Sequence, residues 1–332
     1  MSDIRIDPLS GHKTIIAGER SRRPGGEPSC APPEPIDPAS DPFAEGHEDR
    51  TPPEIYAERP AGGQPNSPGW TVRVVPNLYP ALAPATEGEG AERDPDGGAW
   101  PDLFASAPAR GAHEVIVNAP QPVLSLAELP VEQVIAALGV WRERMRTHAD
   151  SAYVQLIVNE RREAGASLPH THAQLYAFDF VPAAVARERE RFGAYATRMM
   201  GRCLLEDLVA EEVRRRERIV AIDDEAVLMA PYASRLPFQL MLAPRRPRAH
   251  FEGEGATGAS LLHDGLCRLA RHLGSSPPLN LWVRTAPQGA DHFCWRIDVL
   301  PRLTYIAGLE LSTDLNLNIV APERAAAVLR EA

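Results

Sequence analysis

The sequence predicts an α+β fold in which two related halves share one antiparallel sheet. Segments with strand character come as hairpin-like pairs with a single helix between them, which suits antiparallel pairing rather than a doubly wound parallel sheet. The order strand, strand, helix, strand, turn, strand also occurs twice along the chain. At 332 residues, 44% hydrophobic and 24% charged, the chain can bury a real core as one large or two modest domains.

Residues 1 to about 70 read as irregular, with turn signals at Pro24-Gly25-Gly26 and Gly62-Gly63. Many of the 33 prolines fall between Pro24 and Pro108, which also predicts loop there. Thr71–Val75 is the first clear strand, and the acidic, glycine-rich segment 86–98 reads as a mobile loop. Glu114–Asn118 is the second strand. Ser125 and Glu128 then suit a capping box for a helix beginning near Pro130. Val131, Val134, Ile135, Leu138, Trp141 and Met145 recur at helical spacing along it. Strands follow at Ala152–Val158 and His172–Phe180, separated by a polar turn over Asn159–Ser167.

The second half opens with one long charged helix over Ala183–Arg216, with Val185, Phe192, Tyr195, Met199 and Cys203 on its inner face. Strands follow at Arg218–Ile222, Val227–Ala230 and Phe238–Ala243. A helix then carries Leu262, Leu266, Leu269 and Leu273, and strands come at Leu279–Arg284 and Trp295–Leu300.

Composition narrows the function classes. A net charge of −10 argues against a duplex nucleic-acid binder, which needs a basic face, yet a few local arginines suffice for a small anionic substrate. Lys13 is the only lysine. No apolar run reaches membrane-spanning length, and Met1–Ile6 lacks the apolar core of a signal peptide, so a cytoplasmic location with no membrane partner is expected. Four scattered cysteines form neither a disulfide framework nor a zinc pattern.

The chemistry centres on residues 165–174, Gly-Ala-Ser-Leu-Pro-His-Thr-His-Ala-Gln. Residues two apart on a strand face the same way, so His170, His172 and Gln174 line one surface. An imidazole can attack a phosphoryl group while neighbouring polar side chains hold it in line. His-x-His alone is a weak pattern, equally readable as two half-exposed strand histidines.

An ordered set of further stretches gives it context. Asp7-Pro8-Leu9-Ser10-Gly11 with Arg20–Pro24, Val74–Leu82, Gly111–Val117, Asn159 with Gly165–Gln174, Ala230-Pro231-Tyr232 through Phe238, and Ala307–Leu311 span most of the chain. Together they resemble the galactose-1-phosphate uridylyltransferase family of the histidine-triad superfamily. The resemblance implies two histidine-triad-like halves, 1–182 with the nucleophile and 183–332, sharing a half-barrel-like antiparallel sheet with flanking helices. It further implies a homodimer and a ping-pong nucleotidyltransferase, acting on a nucleoside-diphosphate sugar and a sugar phosphate, with uridylyl the family default.

By position, the resemblance makes His172 the nucleophile that carries the nucleotidyl group, with Gln174 bonding the phosphoryl oxygens and His170 beside them. Asn159, Gly165 and Ser167 would cradle the phosphate. Asn77 and Val115 would sit by the ribose and base, Phe43 against the base, and Arg20 and Arg23 near the phosphates. Glu310 would contact the acceptor sugar.

The chain also departs from the family. Relatives hold a structural zinc on a Cys-x-x-Cys, a later histidine and the first histidine of the pair. Here those positions read Asp41 and Ala44, Pro122, and His170. A closed zinc site needs about four ligands, so no metal cofactor is expected, unless Cys30, His47 or His113 supplies a substitute. A second metal position keeps Glu188, but the other places read Arg284, Arg296 and Asp298. Those arginines, Arg296 above all, suit an anionic substrate group or an ion-pair cluster. Leu78 and Thr304 differ from charged residues common in the family. The alternative readings are a phosphorylase or hydrolase using the same histidine with phosphate or water, and a nucleotide-binding protein without activity.

Overall fold

The computed structural model describes residues 2–22, 28–84, 104 and 106–332. The expected mobile loop at 86–98 and the phosphate contact Arg23 lie outside these residues. Thirteen strands and six helices are described. The first half holds β1 (Asp3–Ile6), β2 (Lys13–Ile16), β3 (Tyr56–Glu58), β4 (Val72–Pro76), β5 (Gly111–Val117), α1 (Val131–Thr147), β6 (Tyr153–Glu160) and β7 (His172–Phe178). There follow α2 (Ala183–Arg198), α3 (Leu204–Arg215), β8 (Ile219–Ile222), β9 (Ala226–Met229), β10 (Leu240–Pro244), α4 (Ala259–Leu273), β11 (Leu279–Arg284) and β12 (Arg296–Pro301). The chain closes with α5 (Gly308–Thr313), β13 (Leu315–Asn318) and α6 (Pro322–Glu331).

Ten strands form one antiparallel sheet in the order β3-β4-β5-β7-β6-β11-β12-β10-β9-β8. Outward from the central β6–β11 pair, both directions meet the equivalent strands in the same sequence. This is the α+β fold of paired halves that the repeated element order predicts. β6 and β11 join through the pairs Glu160–Leu279 to Leu156–Val283.

Strand alternation assigns each face. Ile116, Val154, Leu156, Ala173, Leu175, Leu240, Leu242, Leu281 and Val283 point to one side, where α1, α4 and α6 cover them with Leu138, Trp141, Leu266, Leu269 and Leu329. Each such fully buried large apolar side chain contributes about 1.5–3 kcal/mol. Trp141 also satisfies its indole N–H on Asn118 Oδ1 at 2.9 Å. The opposite side of the second half is covered by α2 and α3 through Phe192, Leu205 and Val209 against Val227, Met229 and Met241. Among the described residues, the opposite side of the first half carries one small cluster, Phe43, Trp70, Val75, Val115 and Val117. That thinly covered face carries the histidine motif.

Several local expectations change. Residues 1–70 are not wholly irregular, because β1, β2 and β3 lie there, and β1 and β2 form a second sheet with β13. These strands are three or four residues long and β1 is mostly exposed, too little alternation to stand out. The single helix 183–216 is two helices. Met200 (φ 54°) and Gly201 (φ 89°) take left-handed backbone, and the Gly201 N–H closes α2 on Ala196 O at 2.8 Å. Apolar spacing runs across the break and hides it. Ser125 caps a short 3-10 turn, Leu126–Glu128, by accepting from Ala127 N, and α1 starts after Pro130 instead. Gly111 (φ 143°) opens β5 where a Cβ would stand 2.0 Å from Ala177 O, so only glycine lets β5 lie this close to β7. Among the described residues, no helix is long and apolar enough to cross a membrane.

Candidate active site

β7 lies between β5 and β6, with Val117 opposite His172 and Val115 opposite Gln174. Since Ala173, Leu175 and Ala177 face the core, His172, Gln174 and Tyr176 stand together on the other face. The turn before β7 is fixed by Arg161 (φ 69°) and Gly165 (φ 93°), both at positive φ. It brings His170 and Thr171 inward and leaves Gly165 and Ser167 exposed.

His172 is buried and edged by the Phe43 ring, 5.2 Å between centroids. Its Nδ1–H donates to His170 O at 2.8 Å. In the neutral ring that places the lone pair on Nε2, which accepts no bond among the described residues. Burial pushes the His172 imidazole below its ordinary value, so the neutral, nucleophilic form prevails near pH 7.

His170 is fully buried with both ring nitrogens in hydrogen-bond contact, Nδ1 2.6 Å from Asp41 Oδ2 and Nε2 2.9 Å from Ala119 O. Burial alone would raise the Asp41 carboxyl. The bonds from His170 and from the Phe43 amide bring it below the ordinary carboxylate range. Both nitrogens are engaged in this way, so His170 offers no open ligand atom to a cation. Ala44 and Pro122 offer none either, and no group of three His, Cys, Asp or Glu suited to a metal occurs among the described residues. Of the positions that hold zinc in relatives, only Asp41 and His170 carry ligand-type side chains here, and they bond each other.

Gln174 is oriented by a residue the sequence reading did not place here. His113 Nδ1 accepts from Ala81 N–H at 3.1 Å, so the proton sits on Nε2, which donates to Gln174 Oε1 at 3.1 Å. Tyr176 Oη donates to the same oxygen at 2.9 Å. Two donors on the carbonyl oxygen turn the amide N–H groups the other way. The His113 ring also stacks on Tyr176, 4.0 Å between centroids. The alternation through Val117 and Val115 puts His113 on this face, and that was the signal available.

Other expected residues divide into two groups. Asn77 joins the Gln174 cluster, its amide nitrogen 3.0 Å from His113 Nε2 and its carbonyl oxygen accepting from Tyr79 N. Val115 lines the same face but belongs to the Phe43 apolar cluster. Phe43 packs on the two histidines, with ring centroids 6.1 Å from His170 and 5.2 Å from His172. Asn159 lies on β6 two residues beyond Ile157, the partner of Gln174, and its carbonyl oxygen accepts from Asn280 Nδ2 at 2.8 Å.

Arg20, Glu310 and Arg296 stand apart. Arg20 is exposed in a 3-10 turn beyond β2. The Glu310 carboxylate accepts from Ala307 N at 3.0 Å at the start of α5. Arg296 on β12 is buried and donates to both Glu188 oxygens at 3.0 Å and to Asp298 at 2.9 Å. A guanidinium taken out of water must be paired, and this one is spent on carboxylates of the fold, not on an incoming anion. Arg284 Nε approaches the same Glu188 at 3.4 Å. A cavity of about 110 Å³ beside this cluster is lined by neither His172 nor Gln174.

Glu160, at the end of β6, is a further unforeseen group. It is buried and accepts from Ser125 Oγ (2.6 Å), Leu126 N (2.7 Å) and Thr171 Oγ1 (3.3 Å). Burial outweighs these bonds and pushes its carboxyl up to about 7. The folded value lies above the unfolded one, so folding takes up a proton as pH rises from about 4.5 to about 7. Stability falls across that window, by about 3 kcal/mol in all, and is level above it. Glu160→Gln should therefore gain on the parent protein between pH 5 and 7 in urea unfolding. A constant gap would show the carboxylate ionising as it does in water.

Three comparisons place this arrangement. A family model described as the N-terminal domain of galactose-1-phosphate uridyl transferase matches residues 2–182, and one of a domain of unknown function matches residues 135–331. The chain is 27% identical over 342 residues to an Arabidopsis thaliana protein named ADP-glucose phosphorylase, covering 99% of this chain and 92% of that one. It is 28% identical over 355 residues to the galactose-1-phosphate uridylyltransferase of Cryptococcus neoformans, covering 98% and 89%. The fold matches the crystal structure of an Arabidopsis ADP-glucose phosphorylase with a TM-score of 0.80 at 24% identity, over 100% of this chain and 99% of that one. The chain belongs to the galactose-1-phosphate uridyl transferase family and is an enzyme of the nucleotidyltransferase class.

Proposed function

We propose that the protein moves a nucleoside monophosphate from a nucleoside-diphosphate sugar to a sugar 1-phosphate, through a covalent nucleotidyl group on His172. The observation that carries this reading is the pairing on one strand face of an imidazole with its Nδ1–H already bonded and an amide with its oxygen already bonded. The first presents a lone pair and the second presents donors.

In the first step Nε2 of His172 attacks the α-phosphorus. The N–P bond forms, the bond to the bridging oxygen breaks, and sugar phosphate leaves with the electron pair. In the second step an acceptor phosphate oxygen attacks, the P–N bond breaks, and the pair returns to Nε2. The Nδ1–H stays on His170 O throughout and shares the positive charge of the substituted ring. The Gln174 amide donates to the non-bridging oxygens, where charge builds in a loose transition state. Asn159 keeps its amide N–H groups for the same phosphate, and the exposed backbone at Gly165 and Ser167 suits the cradle.

Inorganic phosphate as the second acceptor is favoured by one observation, the match along nearly the whole chain to a relative named as a phosphorylase. Incubation with UDP-glucose, UDP-galactose or ADP-glucose, each with galactose 1-phosphate, with phosphate or with buffer alone, separates the readings. A new nucleotide sugar formed only with sugar phosphate supports transfer. Nucleoside diphosphate formed with phosphate supports phosphorolysis. A protein that none of these donors labels would refute both.

A further inference from the structure

We propose that Asp41 is a positioning residue for His172, holding its imidazole from two sides through His170 and Phe43. The inference rests on His172 being the nucleophile and adds to it a residue that never touches the substrate.

Asp41 reaches His172 by two routes. Its Oδ2 binds His170 Nδ1 at 2.6 Å, and His170 O is the acceptor that orients the His172 ring. Its Oδ1 accepts from Phe43 N at 3.0 Å, and the Phe43 ring stands edge-on to His172. The loop carrying both residues is tied again by His47 Nδ1, 2.7 Å from Asp41 O. The side chains of Asp41 and His170 are both fully buried, so water cannot substitute for either partner. Two residues 129 apart in sequence are thus clamped, and the chain is fixed two residues before β7 begins.

Such a clamp matters because displacement of a reacting group by an ångström costs up to about a hundredfold in rate. It also bears on metals. An imidazole bonded through both nitrogens, to a carboxylate and to a carbonyl, is held in place without a cation. The clamp does the cross-linking, and neither route to His172 passes through zinc.

Asp41→Asn separates the routes. The amide oxygen still accepts from Phe43 N, but the amide nitrogen cannot accept from His170. The rate of nucleotidyl-protein formation should fall about tenfold at saturating nucleotide sugar, with half-saturation unchanged, because the nucleophile and not the substrate has moved. In a His170→Ala background the same substitution should change the rate less than about twofold, since the shared route is already lost. A purely structural role would lower the unfolding midpoint and leave the rate of the folded fraction unchanged.

Proton NMR of the unsubstituted protein gives a second readout that needs no activity and no folded variant. The short His170–Asp41 bond should appear as one far-downfield imidazole N–H resonance, unaffected by EDTA. Absence of that resonance, stoichiometric zinc in the purified protein, wild-type labelling by Asp41→Asn, or equal slowing in both backgrounds would overturn the proposal. Labelling that survives His172→Asn would instead refute the nucleophile while the resonance stayed in place.

Discussion

His172→Asn should abolish nucleotidyl transfer, lowering turnover by at least about ten-thousandfold, while leaving the fold intact. The amide nitrogen of Asn can still donate to His170 O, so the polar group left behind is not orphaned. His172 also contributes nothing to the main core, which Ala173 and Leu175 serve. What disappears is the lone pair, and loss of a covalent nucleophile removes the whole two-step route. Intact-protein mass spectrometry after quenching at neutral or alkaline pH reads this directly, because the phosphoramidate is acid-labile. The parent protein should gain one nucleoside monophosphate and the variant none. Labelling by the variant would end the assignment.

The same residue fixes the pH dependence. Burial holds the His172 imidazole below its ordinary value, and the reactive species is the neutral ring. Labelling should therefore be level above pH 7 and fall on acidification, with a midpoint below that of a solvent-exposed histidine. A midpoint above that of free histidine would mean the ring is stabilised as a cation, which an incoming phosphoryl group could not use.

Gln174→Ala should slow transfer by about a hundredfold, the usual scale for losing one donor aimed at a developing oxyanion. The loss should fall on turnover and leave half-saturation little changed, since those bonds strengthen only as charge moves onto the phosphoryl oxygens. Gln174→Glu gives a sharper contrast. His113 Nε2 and Tyr176 Oη can still bond one carboxylate oxygen, but the other presents negative charge where donors stood. It should be slower than the alanine variant. Stopped-flow release of sugar phosphate measures both. Equal rates for parent and alanine variants would remove Gln174 from the machinery.

Much of this was legible in the sequence because it depends on period and order. Alternation at two residues placed His172 and Gln174 on one face, and the doubled element order foretold one antiparallel sheet shared by two related halves; that the halves meet at β6 and β11 came from the structure. What could not be read depends on contacts between distant segments. Asp41 was visible only as a missing cysteine, and His113 only as a conceivable metal ligand. Their partners lie 129 and 61 residues away. Arg296 shows the converse. Its residue type suits an anion, yet the burial of β12 beside Glu188 and Asp298 commits it to the fold.

By itself, then, the sequence determined the α+β class, the family and the strand that carries the histidine motif, because local periodicity and motif order survive without coordinates. Only the tertiary structure decided which nitrogen of His172 is bonded to His170 O, which side of the Gln174 amide faces the site, and what holds His170. Hydrogen-bond direction and burial belong to pairs of groups brought together from separate parts of the chain, and no spacing along one strand encodes them.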